Sequence, residues 1–298
     1  MANPVTPNMY LSSRFKFVTG GALAVLLIPV FYSLWYVLAQ ANNAEGFIGN
    51  LSRIDAPENA NGEFLESFLF TVLLAVISST VALMAALISS ALLVEHSIKN
   101  KFKKGVDGTW FEVLVSIPHA VWAAAIFLWL SQSGVLSRIS FQLGLVENPA
   151  DFPTLVRDNN GLGLFIHYLS KEYPFMLLVL TVVLWARYRY LSPVAASLGA
   201  GLIYRTRYLA WPILKPAALG VWLVSFSFIL HSYEAPALLG SVKPRVLSVL
   251  VFELFKDPTI EKRATAALIG VLLLVVTAFA SLVGLFLIWK STRKVADV

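Results

Sequence analysis

His119, His231 and Glu234 carry the side chains a metal centre would use, since imidazole and carboxylate are ligands in hydrolytic zinc sites. Assembled, they would suit an intramembrane hydrolase or a metal transporter. Their spacing does not support this: no His-Glu-x-x-His occurs, and a single histidine on an apolar helix is ordinarily packed and hydrogen-bonded. The chain has no Cys, which removes disulfides and thiolate ligands, and it has no Gly-x4-Gly-Lys-Ser/Thr phosphate loop. No metal site and no catalytic residue are assigned. His119 and Trp122, with His231, Tyr233 and Glu234, suit instead the lining of a solute pathway. The plainer alternative puts Tyr233 in an interfacial aromatic belt and Glu234 in water. A carboxylate at the centre of a membrane helix costs about 2.5 to 3.5 kcal/mol on insertion scales, so Glu234 belongs near an edge or in a wet cavity.

The elements that must position these residues are membrane helices. With 58% hydrophobic residues, 13% charged residues and a mean hydropathy of +0.74, the chain lies far from the soluble class. Apolar runs long enough to cross roughly 30 Å of hydrocarbon are Phe17 to Ala39, Ser67 to Val94, Val113 to Ser137, Pro216 to Tyr233 and Ala264 to Trp289. A sixth, Tyr173 to Ala186, is short, and the apolar stretch Gly161 to Ser170 would extend it. Pro174 is expected to break or kink that helix, with Lys171 and Glu172 snorkelling or facing protein. After the first span, Ala39-Gln40-Ala41 mimics a signal-peptide cleavage site, but a run of about 23 residues exceeds the usual h-region of roughly 7 to 15 and favours an uncleaved anchor.

A net charge of +6 would allow nucleic acid as a partner, but the basic residues flank the apolar spans, where topology accounts for them. With both termini in the cytoplasm, that side receives Arg14 and Lys16, Lys99 to Lys104, Arg187 to Lys215, and Lys290 to Lys294, most of the 23 Lys and Arg. Residues 1–16 are then a cytoplasmic segment, 17–290 a single transmembrane domain, and 291–298 a cytoplasmic tail. The loops 42–66 and 147–160, rich in Asn, Pro and acidic residues, fall on the outer face, where they would meet a soluble protein or simply connect spans. The 240–263 link, with Pro244 and Pro258, is not another crossing.

One cytoplasmic segment is unlike the rest. Residues 192–216, SPVAASLGAGLIYRTRYLAWPILKP, are polar and glycine-broken between two spans. Ser192 reads as an N-cap and Pro193 as the first helical residue, so the segment is expected to form a short helix, an elbow at Gly199 and Gly201, and a second helix.

This segment resembles the EAA loop of the membrane-spanning subunits of ABC importers, whose pattern runs Glu-Ala-Ala, three residues, Gly, then a longer interval to an apolar-x-apolar-Pro end. Ala195 matches the second alanine, Gly199 the glycine, and Leu209, Trp211 and Pro212 the end of the pattern. Pro193 stands at the glutamate position and Val194 at the first alanine. Ser116-Ile117-Pro118-His119-Ala120 is similar to the proline-containing start of the third span in these permeases. Ser232 to Gly240 resembles the segment after the fifth span in the iron, polyamine and thiamine branch.

The resemblance implies an all-α polytopic protein of six transmembrane helices with a cytoplasmic coupling helix, in the bacterial inner membrane. It implies that Ala195, Ala196, Leu198, Gly199 and Ala200 enter a groove on a separate ATPase, with Tyr204, Arg205 and Arg207 at its rim. ATP and Mg would then be bound by that partner, and this chain would hold no cofactor. A second permease subunit, alike or different, and a soluble solute-binding protein complete the implied assembly. The competing reading of the segment is an interfacial helix on lipid, with Arg205 and Arg207 meeting anionic headgroups. The alternative function is an ion-coupled secondary transporter, though no inverted repeat is evident, and a third is a non-transport scaffold.

Overall fold

The computed structural model describes residues 29–43, 46–52, 54, 56, 62–99 and 109–296. Residues 29–41 are helical and lead into α1 (Gly46–Ser52), α2 (Phe64–Lys99), α3 (Thr109–Ser116), α4 (His119–Leu130), α5 (Val135–Gln142) and α6 (Leu162–Ser197). Then follow α7 (Leu202–Arg205), a π-helical turn (Thr206–Ala210), α8 (Trp211–His231), α9 (Glu234–Leu239), α10 (Leu247–Lys256) and α11 (Ile260–Ala296). No strand occurs among the described residues, as an all-α polytopic chain requires. Five stretches are long and apolar enough to cross a membrane: Phe64–Lys99, His119–Gln142, Leu162–Ser197, Leu202–His231 and Ile260–Lys290. The sixth expected span, Phe17 to Ala39, lies mostly outside the described residues, as does the segment 1–16.

The packing of α2 shows why these helices associate. Its inward stripe is small or hydroxylated, with Ser67, Thr71, Ala75, Ser78, Ala82, Ala86 and Ser90 all buried, while Leu69, Leu73, Ile77, Met84, Ile88 and Leu92 point outward and are exposed. Large apolar outside and small inside is the pattern of a helix solvated by lipid, because small side chains let backbones approach where no hydrophobic force drives association. Two buried hydroxyls turn back on their own helix, Thr71 Oγ1 donating to Ser67 O at 2.6 Å and Ser79 Oγ to Ala75 O at 2.7 Å. α2 packs chiefly on α6 and α8, and α8 packs on α11. There Gly284 is buried, and a Cβ on it would lie 2.0 Å from Leu223 Cδ1. Gly284→Leu is therefore expected to destabilise the bundle by about 1–3 kcal/mol through overpacking. The unfolding midpoint in detergent measures it; an unchanged midpoint would rule out the close α8–α11 approach.

Three expectations are corrected, those for Pro174, for Ser192 with Pro193 and for the third span, while the extension of the short span and the non-crossing 240–263 link hold. The short span Tyr173 to Ala186 is the middle of a 36-residue helix, extended at its start by the apolar residues after Gly161. Pro174 does not break it. Ser192 is not an N-cap and Pro193 does not start a helix; both lie inside α6, because the Ser192 hydroxyl is drawn into a buried side-chain network instead of capping backbone. The span expected from Val113 to Ser137 is interrupted at Ile117-Pro118 and again after Leu130, so Val113 to Ser116 belong to the separate helix α3. Proline at 118 has no N–H to continue the ladder, and its ring disfavours helical geometry for the residue before it. Before α11 begins at Ile260, the 240–263 link holds only the ten-residue α10, too short to cross, seated on α2 by Leu247 N donating to Thr71 Oγ1 at 2.8 Å.

The buried apolar residues form two clusters. One includes Leu164, Tyr168, Phe226, Ile229, Leu230 and Leu268. The other includes Ala82, Ala86, Met176, Leu180, Leu184, Tyr188, Leu214 and Val221. Lys171 and Glu172 fall between them on α6, and Ser225 falls between them on α8, so the bundle carries a polar layer at the seam.

Candidate functional site

The elbow is built by backbone chemistry. Gly199 has φ +86°, a left-handed conformation that costs glycine nothing. Its N–H donates to Ala196 O at 3.0 Å and the N–H of Ala200 donates to Ala195 O at 3.0 Å. This pair of bonds is a Schellman cap, which satisfies carbonyls left open at the end of α6. The chain turns through Gly201, whose carbonyl accepts the Arg205 N–H at 3.1 Å, and starts α7. The π turn Thr206–Ala210 follows directly before Pro212. A wider turn there relieves the clash that a proline ring makes with the carbonyl four residues earlier.

The apex is apolar and open. Leu198 is 82% exposed and Ile203 84%, and Ala196, Gly199, Leu202, Tyr204 and Arg207 are also exposed, while Ala195 and Ala200 are half-buried. Tyr204 packs on Tyr208 with ring centroids 4.5 Å apart and the rings tilted by 36°. Ile203 was missed in sequence reading, although an apolar pair directly after a glycine elbow is a signal for it. Arg205 departs from the group: it is 9% exposed and points away from the rim into the bundle. Its Nη2 lies 3.4 Å from Glu95 Oε2, and its Nη1 donates to Ser192 Oγ at 3.0 Å. Ser192 Oγ in turn donates to Glu95 Oε1 at 2.8 Å, and the Tyr188 hydroxyl donates to the same oxygen.

A second constellation lies at the polar seam. A cavity of about 180 Å³ is lined by Val115, His119, Lys171, Glu172, Phe175, Val224 and Phe228. Lys171 and Glu172 face protein, at 4% and 5% exposure. Lys171 Nζ donates to the carbonyls of Leu114 at 2.8 Å, Val115 at 3.3 Å and Ile117 at 2.6 Å. These are the carbonyls that the break at Ile117-Pro118 leaves open, and a cation at a helix C-terminus also suits the helix dipole. The Ser225 hydroxyl donates to Glu172. The His119 ring lies 4.4 Å from the ring of Phe228 and 5.8 Å from that of His167. His167 is fully buried, and neither of its ring nitrogens has a hydrogen-bond partner among the described residues.

Of the residues read as pathway candidates, His119 lines this cavity and Trp122, one turn along α4, donates from Nε1 to Ser170 Oγ at 2.7 Å. His231, Tyr233 and Glu234 do not line this cavity and lie at the junction of α8 and α9, with Glu234 near enough to His119 to act on it electrostatically. The His231 ring is exposed with Nδ1 2.9 Å from Ser227 O, Tyr233 packs on Phe252 at 4.5 Å, and Glu234 is exposed in the first turn of α9. Among the described residues no three His, Asp or Glu side chains gather as metal ligands. A groove of about 480 Å³ lies apart from both constellations, between residues 127–133 and 149–157.

No family model matches the chain. In sequence it is 26% identical over 184 residues to the inner membrane ABC transporter permease protein YnjC of Escherichia coli (strain K12). That match covers 61% of this chain and 34% of the relative, so it spans about a third of the relative's length. In fold it matches a chain from a bacterial ABC transporter involved in the import of the acidic polysaccharide alginate, with a TM-score of 0.68, 18% identity, and 92% and 98% of the two chains covered. A bacterial alginate ABC transporter in complex with an alginate pentasaccharide-bound periplasmic protein gives a TM-score of 0.67 at 17% identity, over 90% and 93%. By fold across nearly its whole length, and by sequence across 184 residues, the chain is similar to membrane chains of ABC transporters.

Proposed function

We propose that this chain is the membrane-spanning permease subunit of an ATP-driven importer, forming part of a solute pathway and receiving work from a separate ATPase. The observation that carries this reading is the apolar apex Leu198–Tyr204, held in the open on the ends of two bundle helices. An exposed apolar surface of that kind marks a protein or membrane contact, and on a polar, glycine-broken turn between two spans we assign it to a protein partner. Ala195, Ala196, Leu198, Gly199 and Ala200 then enter a groove on the ATPase, with Tyr204 and Arg207 beside it, and ATP and Mg²⁺ are bound by that partner. Arg205 serves from behind, through its buried contacts.

The basic residues around the elbow support a cytoplasmic placement for it and, with both termini on the same side, a bacterial inner-membrane location. Residues 17–290 act as one permease domain. The cavity at the seam opens between α3, α4, α6 and α8, and we assign it to the solute path, which a second permease subunit completes. The unpaired ring nitrogens of His167 and His119 Nδ1 support a wetted path, since buried polar groups of this kind are otherwise served by water. The groove at residues 127–157 faces the other side of the membrane in this scheme, where a soluble solute-binding protein docks.

Purification from the native membrane in mild detergent, with mass spectrometry of what travels with the chain, tests this. The expected result is a stoichiometric ATP-binding subunit. A preparation free of ATPase that still moves solute in proteoliposomes under an ion gradient would replace the reading with secondary transport.

A further inference from the structure

The elbow is four residues long from Leu198 to Gly201, two of them glycine, and by itself would leave the angle between α6 and the α7–α8 arm loosely set. Residues 192–216 contain Arg205, Arg207 and Lys215 but no Asp or Glu, so no carboxylate within the segment can set that angle. One arrives from outside. Glu95, near the end of α2 and 5% exposed, meets both arms at once. From α6 it accepts hydrogen bonds from Tyr188 and Ser192, four residues apart on one face; from the other arm Arg205 approaches at 3.4 Å. Arg205 also donates to Ser192 Oγ at 3.0 Å and to Ser192 O at 3.4 Å, so each of the three elements is tied to the other two.

We infer that Glu95 is a positioning residue for coupling: its carboxylate fixes the angle of the elbow, so that a displacement of the apex moves α2, α6 and α8 together. The inference rests on the permease reading for its consequence, but not for its geometry. A buried ion pair is a weak contributor to stability and a good device for registry, because leaving one member without the other strands a charge while a correct match is unique. Arg205 is thereby part of the elbow's internal frame and unavailable to lipid headgroups or to the ATPase surface.

The test uses the full chain in its assembled complex. The protein has no cysteine, so Cys introduced at the exposed positions Leu191 and Lys215, one on each arm and outside the docking apex, gives a doubly spin-labelled elbow, while hydrolysis is read on unlabelled protein. The expected wild-type result is one narrow distance distribution. Glu95→Gln, close in shape but uncharged, is expected to broaden it at least twofold and to lower solute-stimulated ATP hydrolysis about tenfold, with the ATPase subunit still bound in normal proportion. The paired exchange Glu95→Arg with Arg205→Glu is expected to restore a narrow distribution and at least a third of the stimulation. An unchanged distribution in Glu95→Gln overturns the inference. So does loss of stimulation that the paired exchange leaves unrepaired, which would mark Glu95 as needed for folding alone. Absence of any ATPase from the wild-type preparation would sink the permease reading, and the distance measurement would still decide whether Glu95 sets the elbow.

Discussion

Replacing Lys171 with methionine is expected to destabilise the bundle by about 3 kcal/mol and to lower transport more than tenfold. The ammonium group is the donor for three backbone carbonyls, Leu114, Val115 and Ile117, at the break between α3 and α4. In a protein surrounded by lipid those carbonyls have few other donors, and a buried acceptor left unsatisfied costs about 1–3 kcal/mol. Leu114 and Ile117 are only half-buried, so water in the adjoining cavity offsets part of the loss. Methionine keeps the length of the stem but offers no N–H. The effect on transport follows from position: the freed segment carries Val115 and leads into His119, both of which line the cavity. Denaturation in mixed detergent, alongside uptake in proteoliposomes, measures the two effects; a variant as stable as the parent would show that the carbonyls are served by water and that the break does not depend on Lys171.

The second large effect is expected at Gly199. Gly199→Trp should abolish solute-stimulated ATP hydrolysis in the assembled complex while membrane insertion and the helical bundle stay intact. Two observations separate fold from docking here. The φ of +86° makes any non-glycine residue strained, at a cost of about 1 kcal/mol that the cap itself limits. A Cβ at this position meets nothing within 4 Å among the described residues, so the side chain starts into open space and not into the bundle. Asn tolerates the left-handed region far better than Trp, so Gly199→Asn is the control for strain and should keep most of the stimulation. Equal loss in both variants would assign the effect to backbone geometry; no loss in the tryptophan variant would count against docking at the apex.

Much of this arrangement was legible in the sequence, and the exceptions have physical causes. The long apolar runs that became α2, α8 and α11 read correctly because length and hydropathy are local properties. The elbow read correctly because Gly199 and Gly201 announce backbone freedom wherever they stand. Pro174 and Pro193 misled: each forfeits one helical hydrogen bond, yet the neighbours on α6 from Leu164 to Tyr188 bury enough surface against α2 and α8 to carry the helix through both. The division of the third span was signalled by Pro118 but not its depth.

The functional side chains were hardest where their partners are distant. Glu95 ends an apolar run, where a carboxylate reads as interfacial, and its partners Tyr188 and Ser192 are 93 and 97 residues away. Lys171 reads as either snorkelling or facing protein, and only the carbonyls at the end of α3, 54 to 57 residues earlier, decide for the second. Arg205, grouped with Arg207 by charge and proximity, turned the other way because alternate faces of a helix see different surroundings.

The continuity of α6 has a mechanical consequence. About 36 Å of one rod separates Lys171 and Glu172 from the capped end at Ala196, at roughly 1.5 Å per residue. That rod has two points of reduced stiffness, Pro174 and Pro193, where a rung of the hydrogen-bond ladder is missing. Each flexure stands within two residues of a buried polar clamp, Glu172 with Ser225 at one and Ser192 with Glu95 at the other. Bending at either point must strain its clamp, so a shove at the tip reaches the cavity as a nearly rigid tilt until one of the clamps lets go.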